Sequence, residues 1–304
     1  MTDTPENRSL PGNSRIGNSR IGRSQINAGT FAMLWRAPLV IWQIAFFVVP
    51  LVFLVYLSFW VVKNYRMTPA LDPVNWVKML SKDYFWSAYS YTFILALLAT
   101  VITTVIAFPA AYALAFKVSD RTRRLAIFLL IIPFFTSYLV RIYAWQTMLA
   151  ENGAINGALS YLGLGPFTML NTQFGTLVGY VALALPLVTI LQTLSLANID
   201  RRLVEAAYNL GCSHLRAVFT VVIPLAKIGI IIGAVFCFIL AFGDFVSPYY
   251  LGGSKPPTLS ILIVDTTKAG QQWPKAAVVA ITMIVTLFIV AIIAVTLAYK
   301  KPKA

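Results

Sequence analysis

The chain has 304 residues, of which 59% are hydrophobic and only 11% charged, and its formal net charge is +14. Soluble domains carry about 25% charged residues, so the composition excludes a soluble globular enzyme and indicates a polytopic membrane protein. The positive charge does not indicate nucleic acid: the basic residues flank apolar blocks instead of forming one patch, as membrane insertion requires.

Residues 1–30 are rich in Asn, Ser, Gly and Arg, and hold a direct repeat, Asn13-Ser-Arg-Ile-Gly then Asn18-Ser-Arg-Ile-Gly. Nothing in them can bury a core, and a disordered cytoplasmic tail is expected there. Residues 31–304 are expected to form one membrane domain. Six apolar blocks are long enough to span a bilayer, at 39–62, 89–116, 125–149, 174–197, 224–249 and 277–299. Pro50, Pro109, Pro133, Pro186 and Pro224 lie within or at the ends of five of them. Trp35, Trp42, Trp60, Tyr84, Trp86, Tyr249 and Tyr250 lie near block ends, where an aromatic belt meets lipid headgroups. The N-terminus, the 117–124 and 198–227 loops and the C-terminus together carry 16 Lys and Arg; the opposite side carries 7. That bias places both termini and the 198–227 loop in the cytoplasm.

Two of the blocks carry charge. Arg141 lies in Leu139-Val-Arg-Ile-Tyr-Ala-Trp145, and Asp244 in Phe242-Gly-Asp-Phe-Val-Ser-Pro248. Ionisable residues in lipid are costly and are functional candidates by default. Arg141 is a candidate to contact cargo, to snorkel outward, or to pair with Asp244 or a partner chain. Asp244 is a candidate to attract a cation, and equally to bond backbone groups where the helix loosens near Pro248. Tyr143, Trp145 and Tyr249 offer aromatic faces suited to an ammonium group.

The segment Asp200 to Lys227 is the longest polar-containing stretch between two apolar blocks. Asp200 caps a short helix, and Gly211 ends it in the left-handed conformation that glycine enters at little cost. Leu203, Ala206, Ala207 and Leu210 give one apolar stripe, with Arg202, Glu205 and Asn209 on another face. Ser213 caps a second helix that runs on into the membrane. A short amphipathic helix of this kind suits a groove on a partner.

No G-x-x-x-x-G-K-[ST] phosphate loop, paired carboxylates, G-x-S-x-G or H-E-x-x-H occurs. His214 is the only histidine, and Cys212 and Cys237 form no metal or disulfide pattern. Neither a catalytic site, a metal nor a cofactor is expected, and any ATP must be hydrolysed by a separate subunit. A lone ion-coupled carrier is the alternative class, but such carriers usually show inverted repeats, and none is visible.

Glu205-Ala206-Ala207, three residues, Gly211, nine residues, then Val221-Val-Ile-Pro224 resembles the EAA signature of permease subunits of binding-protein-dependent ABC importers. Val221 and Ile223 stand where that family prefers Ile and Leu. Leu139-Val-Arg-x-Tyr-Ala-Trp145, Gly153-Ala-Ile-Asn156, and Gly243-Asp-Phe-Val-x-Pro248 with Leu251-Gly-Gly253 resemble permeases of spermidine/putrescine importers, more narrowly the first of that system's two permeases. The resemblance covers about residues 40–300 and leaves out the tail. It implies an all-α integral membrane fold of six transmembrane helices, the type I importer membrane domain, in a bacterial inner membrane. It also implies a second homologous permease, ATP-binding cassette subunits docked at the EAA helix, a periplasmic solute-binding protein, and a small cationic substrate. The coupling residues it implies are Glu205, Ala206, Ala207, Gly211 and Pro224. Other small solutes are carried by relatives that share many of these motifs.

Overall fold

A computed structural model describes residues 28–300, so the expected tail lies outside the described residues except for its last three. The described residues fall into two compact units that divide at Leu51. The first holds α1 (Ala28–Gln43) and a π turn (Ile44–Val48); the division falls inside α2 (Val49–Ser58).

The π turn has a physical cause. Proline lacks an N–H, and its ring crowds the carbonyl four residues back, here that of Phe46, inside the widened turn just before Pro50. The same device recurs in the second unit, where a π turn at Val218–Val222 precedes Pro224 and contains Thr220, again four residues back.

The second unit opens with a hairpin, β1 (Val61–Lys63) and β2 (Arg66–Thr68), in antiparallel register with Lys63 opposite Arg66. Asn64 and Tyr65 both have positive φ, the turn that matches strand twist in a two-residue hairpin. Helix α3 (Val74–Leu80) follows. Its buried Asn75 donates through Nδ2 to the Ser58 and Trp60 carbonyls, at 3.0 and 2.7 Å, and ties the hairpin's base down. The remaining helices are α4 (Asp83–Phe116), α5 (Asp120–Ile131), α6 (Tyr138–Leu149), α7 (Ala154–Ser160), α8 (Gln173–Ala197), α9 (Arg201–Asn209), α10 (His214–Ala217), α11 (Ile223–Gly243), α12 (Val246–Tyr250), α13 (Leu259–Lys268) and α14 (Trp273–Tyr299).

Helices α4, α8 and α11 pack together at the centre. Small residues make the approach possible: Ala96, Ala99, Ala107 and Ala111 of α4 are fully buried, and Ala107 meets Ala184, Val188 and Cys237. Lipid gives helices little hydrophobic reason to associate, so close backbone packing and interhelical hydrogen bonds carry the load. Gln192 of α8 donates to the Thr104 carbonyl of α4 at 3.2 Å. The Thr92, Thr100 and Thr193 hydroxyls bond carbonyls four residues back, which satisfies them inside an apolar interior. A larger aromatic core, with Phe85, Tyr180, Phe238 and Phe242, lies against α13 and α14.

Five helical runs are long and apolar enough to cross a membrane: Trp35–Ser58, Asp83–Phe116, Gln173–Ala197, His214–Gly243 and Trp273–Tyr299. The third block, expected as one span over 125–149, is instead a broken pair, Asp120–Phe135 and Tyr138–Ser160, bent by 94°. Pro133 tightens the end of α5 into a 3₁₀ turn, Thr136 goes extended, and its hydroxyl bonds the Pro133 carbonyl at 2.8 Å. Counted as one, this pair is the sixth span. The fifth block also differs from expectation. Its helix starts at His214, where the Ser213 cap is expected to begin it, but stops at Gly243 rather than 249. A helix through Pro248 would need its ring beside the Asp244 carbonyl, and the chain breaks there.

Candidate functional site

The His214–Gly243 helix carries a short helix near each end, α9 before it and α12 after it. At the α9 end, the Asp200 carboxylate accepts the Arg202 N–H at 3.0 Å, as an N-cap should. Gly211 has φ +82°. Its N–H donates to the Tyr208 carbonyl at 2.9 Å, and the Cys212 N–H donates to Ala207 at 3.0 Å, which together close the last turn. The Ser213 hydroxyl accepts the Arg216 N–H and starts α10, which continues through the π turn into α11.

The face that α9 buries is not the one its apolar stripe suggests. Val204 is buried, in a cluster with Ala111, Ala115, Leu196, Val222 and Ala226, and Tyr208 packs against it. Arg201 donates to the Ala115 carbonyl at 3.3 Å, in the last turn of α4, where unpaired carbonyls favour a cation. Leu203, Glu205, Ala206 and Leu210 are exposed instead, and Ala207 is half-buried. Further apolar exposure continues at Leu215 and Phe219. So α9 is apolar on two faces, one spent on the bundle and one left outward, with Glu205 on the outward face. Pro224 is exposed and lies just after the π turn, in the first turn of α11. Beside the start of α9 lies a polar cleft of about 670 Å³ lined by Asp120, Arg123, Asp200, Arg201 and Arg202.

At the α12 end, Asp244 is, among the described residues, the one buried charged side chain. It follows the last residue of α11. Its Oδ1 accepts the Val246 N–H at 2.8 Å and its Oδ2 the Ser247 N–H at 3.2 Å, so it starts α12 as a cap. The Tyr138 hydroxyl donates to the same Oδ2 at 2.6 Å and lies 2.6 Å from the Ser247 hydroxyl. Tyr138 therefore stands between the two charged candidates: the Arg141 guanidinium lies 5.6 Å from the centre of its ring. Among the described residues, the one ion pair is Arg123–Asp120, so Arg141 and Asp244 do not pair directly.

The aromatic candidates separate. Tyr143 meets Tyr250 edge to face at 5.3 Å, and Tyr250 meets Tyr249 at 5.0 Å; Tyr143 and Tyr249 are each about half exposed. Trp145 turns away, into an apolar cavity of about 590 Å³ with Leu149, Ile155, Met169 and Phe174. Asn156 holds the loop after α7: its Nδ2 donates to the Ala150 and Phe167 carbonyls, and its Oδ1 accepts the Phe167 N–H. Sequence reasoning missed Tyr138, Ser247 and Arg201. Asp244 and Ser247 just before Pro248 do form a capping signal; no local pattern marks Tyr138.

A helical bundle of membrane length, with a capped and outward-facing short helix at one end, defines a multi-pass membrane domain. The structure of a bacterial ABC transporter involved in import of the acidic polysaccharide alginate superimposes with a TM-score of 0.67 at 18% identity, over 90% of this chain and 96% of that one. Residues 104–301 match the family described as binding-protein-dependent transport system inner membrane component. The chain is 32% identical over 224 residues to the spermidine/putrescine transport system permease protein PotB of Escherichia coli (strain K12), covering 73% of this chain and 80% of that protein. It is 27% identical over 236 residues to the inner membrane ABC transporter permease protein YdcU of the same organism, covering 73% and 74%. The chain belongs to the binding-protein-dependent inner membrane component family: it is a multi-pass permease subunit of an ABC importer, without an ATPase site of its own.

Proposed function

We propose that this permease imports a small cationic solute of the putrescine/spermidine type. The observation that carries the proposal is the similarity to the spermidine/putrescine permease PotB over 224 residues. The buried Asp244, and the half-exposed Tyr143 and Tyr249 that both meet Tyr250, support it, since a carboxylate and aromatic faces both favour an ammonium group. Arg141, Tyr143, Asp244 and Tyr249 line the passage in this reading; Trp145, turned into an apolar cavity, packs the helix that bears Arg141 and Tyr143.

The outward face of α9, with Leu203, Glu205, Ala206 and Leu210, docks an ATP-binding cassette subunit. Gly211 sets where α9 ends, and Pro224 sets the π turn that joins α10 to α11. A second homologous permease completes the passage, and a periplasmic binding protein delivers solute. Both termini and α9 lie in the cytoplasm, on the side rich in Lys and Arg; a reporter fused after Cys212 reads inside, and an outside reading removes the docking role.

Uptake of labelled putrescine by cells with the complete importer tests the substrate. Unlabelled spermidine competes. Competition by a neutral sugar or by phosphate, with none by either polyamine, rejects the substrate class and leaves a permease for another small solute. Asp244→Asn lowers uptake while the ATPase subunit stays bound. Unchanged uptake takes Asp244 off the passage.

A further inference from the structure

Two discontinuities of the bundle meet at one hydroxyl. Tyr138 is the first residue of α6, directly after the 94° bend that separates it from α5. Asp244 and Ser247 flank the break between α11 and α12. The Tyr138 hydroxyl bonds both, across 106 and 109 residues of sequence. Ser247 is fully buried, and α8 floors it from another side. A Cβ added to Gly179 would lie 2.5 Å from the Ser247 hydroxyl oxygen, and one added to Gly175 2.6 Å from the Leu251 carbonyl. The Asn171 N–H, just before α8, donates to that same carbonyl at 2.8 Å. So α12 is gripped by α6 through hydrogen bonds and by α8 through close packing.

We infer that Tyr138 is a positioning residue for transport, which locks the start of α6 to α12 on its α8 floor, so that α6 and α12 move together. Tyr143, Tyr249 and Tyr250 then keep their mutual geometry through the change between inward and outward states. The inference rests on the importer reading but not on the identity of the solute.

The test is Tyr138→Phe in the complete importer, with uptake followed against the concentration of loaded binding protein. Phenylalanine keeps the ring and removes only the hydroxyl. The carboxylate loses one charge-assisted hydrogen bond, an effect equivalent to about tenfold in an equilibrium. The maximal uptake rate is expected to fall by about that factor, with the half-saturating concentration unchanged and more ATP hydrolysed per solute imported. A merely structural role would lower the amount of assembled complex and leave turnover per complex intact. In an Asp244→Asn background the hydroxyl has lost its carboxylate partner, and Tyr138→Phe is expected to change the rate less than twofold. Ser247→Ala, which removes the weaker of the two bonds, serves as a second variant and is expected to lower the rate about threefold. Wild-type turnover and wild-type ATP use in both Tyr138→Phe and Ser247→Ala overturn the inference, as do independent, multiplying effects of Tyr138→Phe and Asp244→Asn. Neither result touches the substrate class, which the competition experiment decides alone.

Discussion

The two short helices flanking the His214–Gly243 span are built in opposite ways. Helix α9 is closed by its own neighbours: Asp200 caps Arg202, Gly211 turns back on Tyr208, and Cys212 on Ala207. It is tied to the bundle by Val204, Tyr208 and one long-range bond from Arg201 to Ala115. Helix α12 has a local cap in Asp244, but Tyr138 of α6 and the glycine floor of α8 hold it from both sides. A helix that must bind and follow a separate subunit needs an internal shape that survives movement, and a free outer face. A helix in the passage needs its position fixed relative to the other passage walls. The contrast predicts that bulk forced beneath α12 is felt as lost stability or assembly, loosening of its hydrogen bonds as lost turnover, and damage at α9 as lost coupling.

The largest expected effect is at Gly179. A Cβ added there would lie 2.5 Å from the Ser247 hydroxyl oxygen and 3.1 Å from the Leu251 side chain. Gly179→Leu forces a whole side chain into this contact, and overpacking of this kind costs roughly 1–3 kcal/mol or more. The purified complex is expected to lose thermal stability by several degrees and to lose bound ATPase subunit. A complex as stable as wild type would show that α12 is not seated on α8, and the contrast between the two ends would fail.

The same contrast sets what the sequence discloses. At α9 the structural cues are neighbours in the chain, so the Asp200 cap, the Gly211 end and the Ser213 restart are legible and are found where expected. The stripe of Leu203, Ala206 and Leu210 is also legible as apolar, yet its direction is not. A helix apolar on two sides gives no local sign of which side meets the bundle; Arg201 and Val204 decide it through contacts with α4. The span count is legible because membrane helices declare themselves by length and hydropathy. The bend in the third block is not, because Pro133 lies in an apolar run and many spans carry a proline without breaking; α4 and α8 continue straight through Pro109 and Pro186 as single helices. The bond from Tyr138 to Asp244 joins residues 106 apart, and no pattern in one sequence connects them. The hairpin at 61–68 hides for another reason, since Asn64-Tyr65 lacks the glycine that usually announces such a turn.

Gly211→Leu gives the intermediate effect. A Cβ there meets nothing within 4 Å, so the whole penalty lies in the backbone at φ +82°. A side chain in the left-handed region costs about 1 kcal/mol. That is small against the stability of the inserted bundle, and large against the local closure of a nine-residue helix. Thermal stability of the permease is expected to change by less than for Gly179→Leu. Uptake is expected to fall strongly, because the end of α9 and the entry of α10 are redirected at the docking surface. Full uptake and full ATPase retention together would reduce the 200–227 stretch to an ordinary loop.

Glu205→Ala is expected to have the smallest effect on folding and is therefore the sharpest test of the docking role. Glu205 is exposed and, among the described residues, makes no hydrogen bond or ion pair. Exposed positions of this kind change stability by about 0.5 kcal/mol or less. Alanine is also the better helix former, so α9 itself is not weakened. Any loss of transport must then come from a contact outside this chain. The expected result is unchanged thermal stability of the isolated permease, a few-fold loss of uptake, and weaker retention of the ATPase subunit, with a deficit relative to wild type that shrinks as salt is raised, since screening weakens in the wild type the surface charge contact that the variant lacks. The loss is milder than for Gly211→Leu, because one polar contact is removed and the helix keeps its shape. If Glu205→Ala lowers the stability of the isolated permease as much as Gly179→Leu does, Glu205 serves the fold, and α9 is no longer the detachable element that its local closure describes.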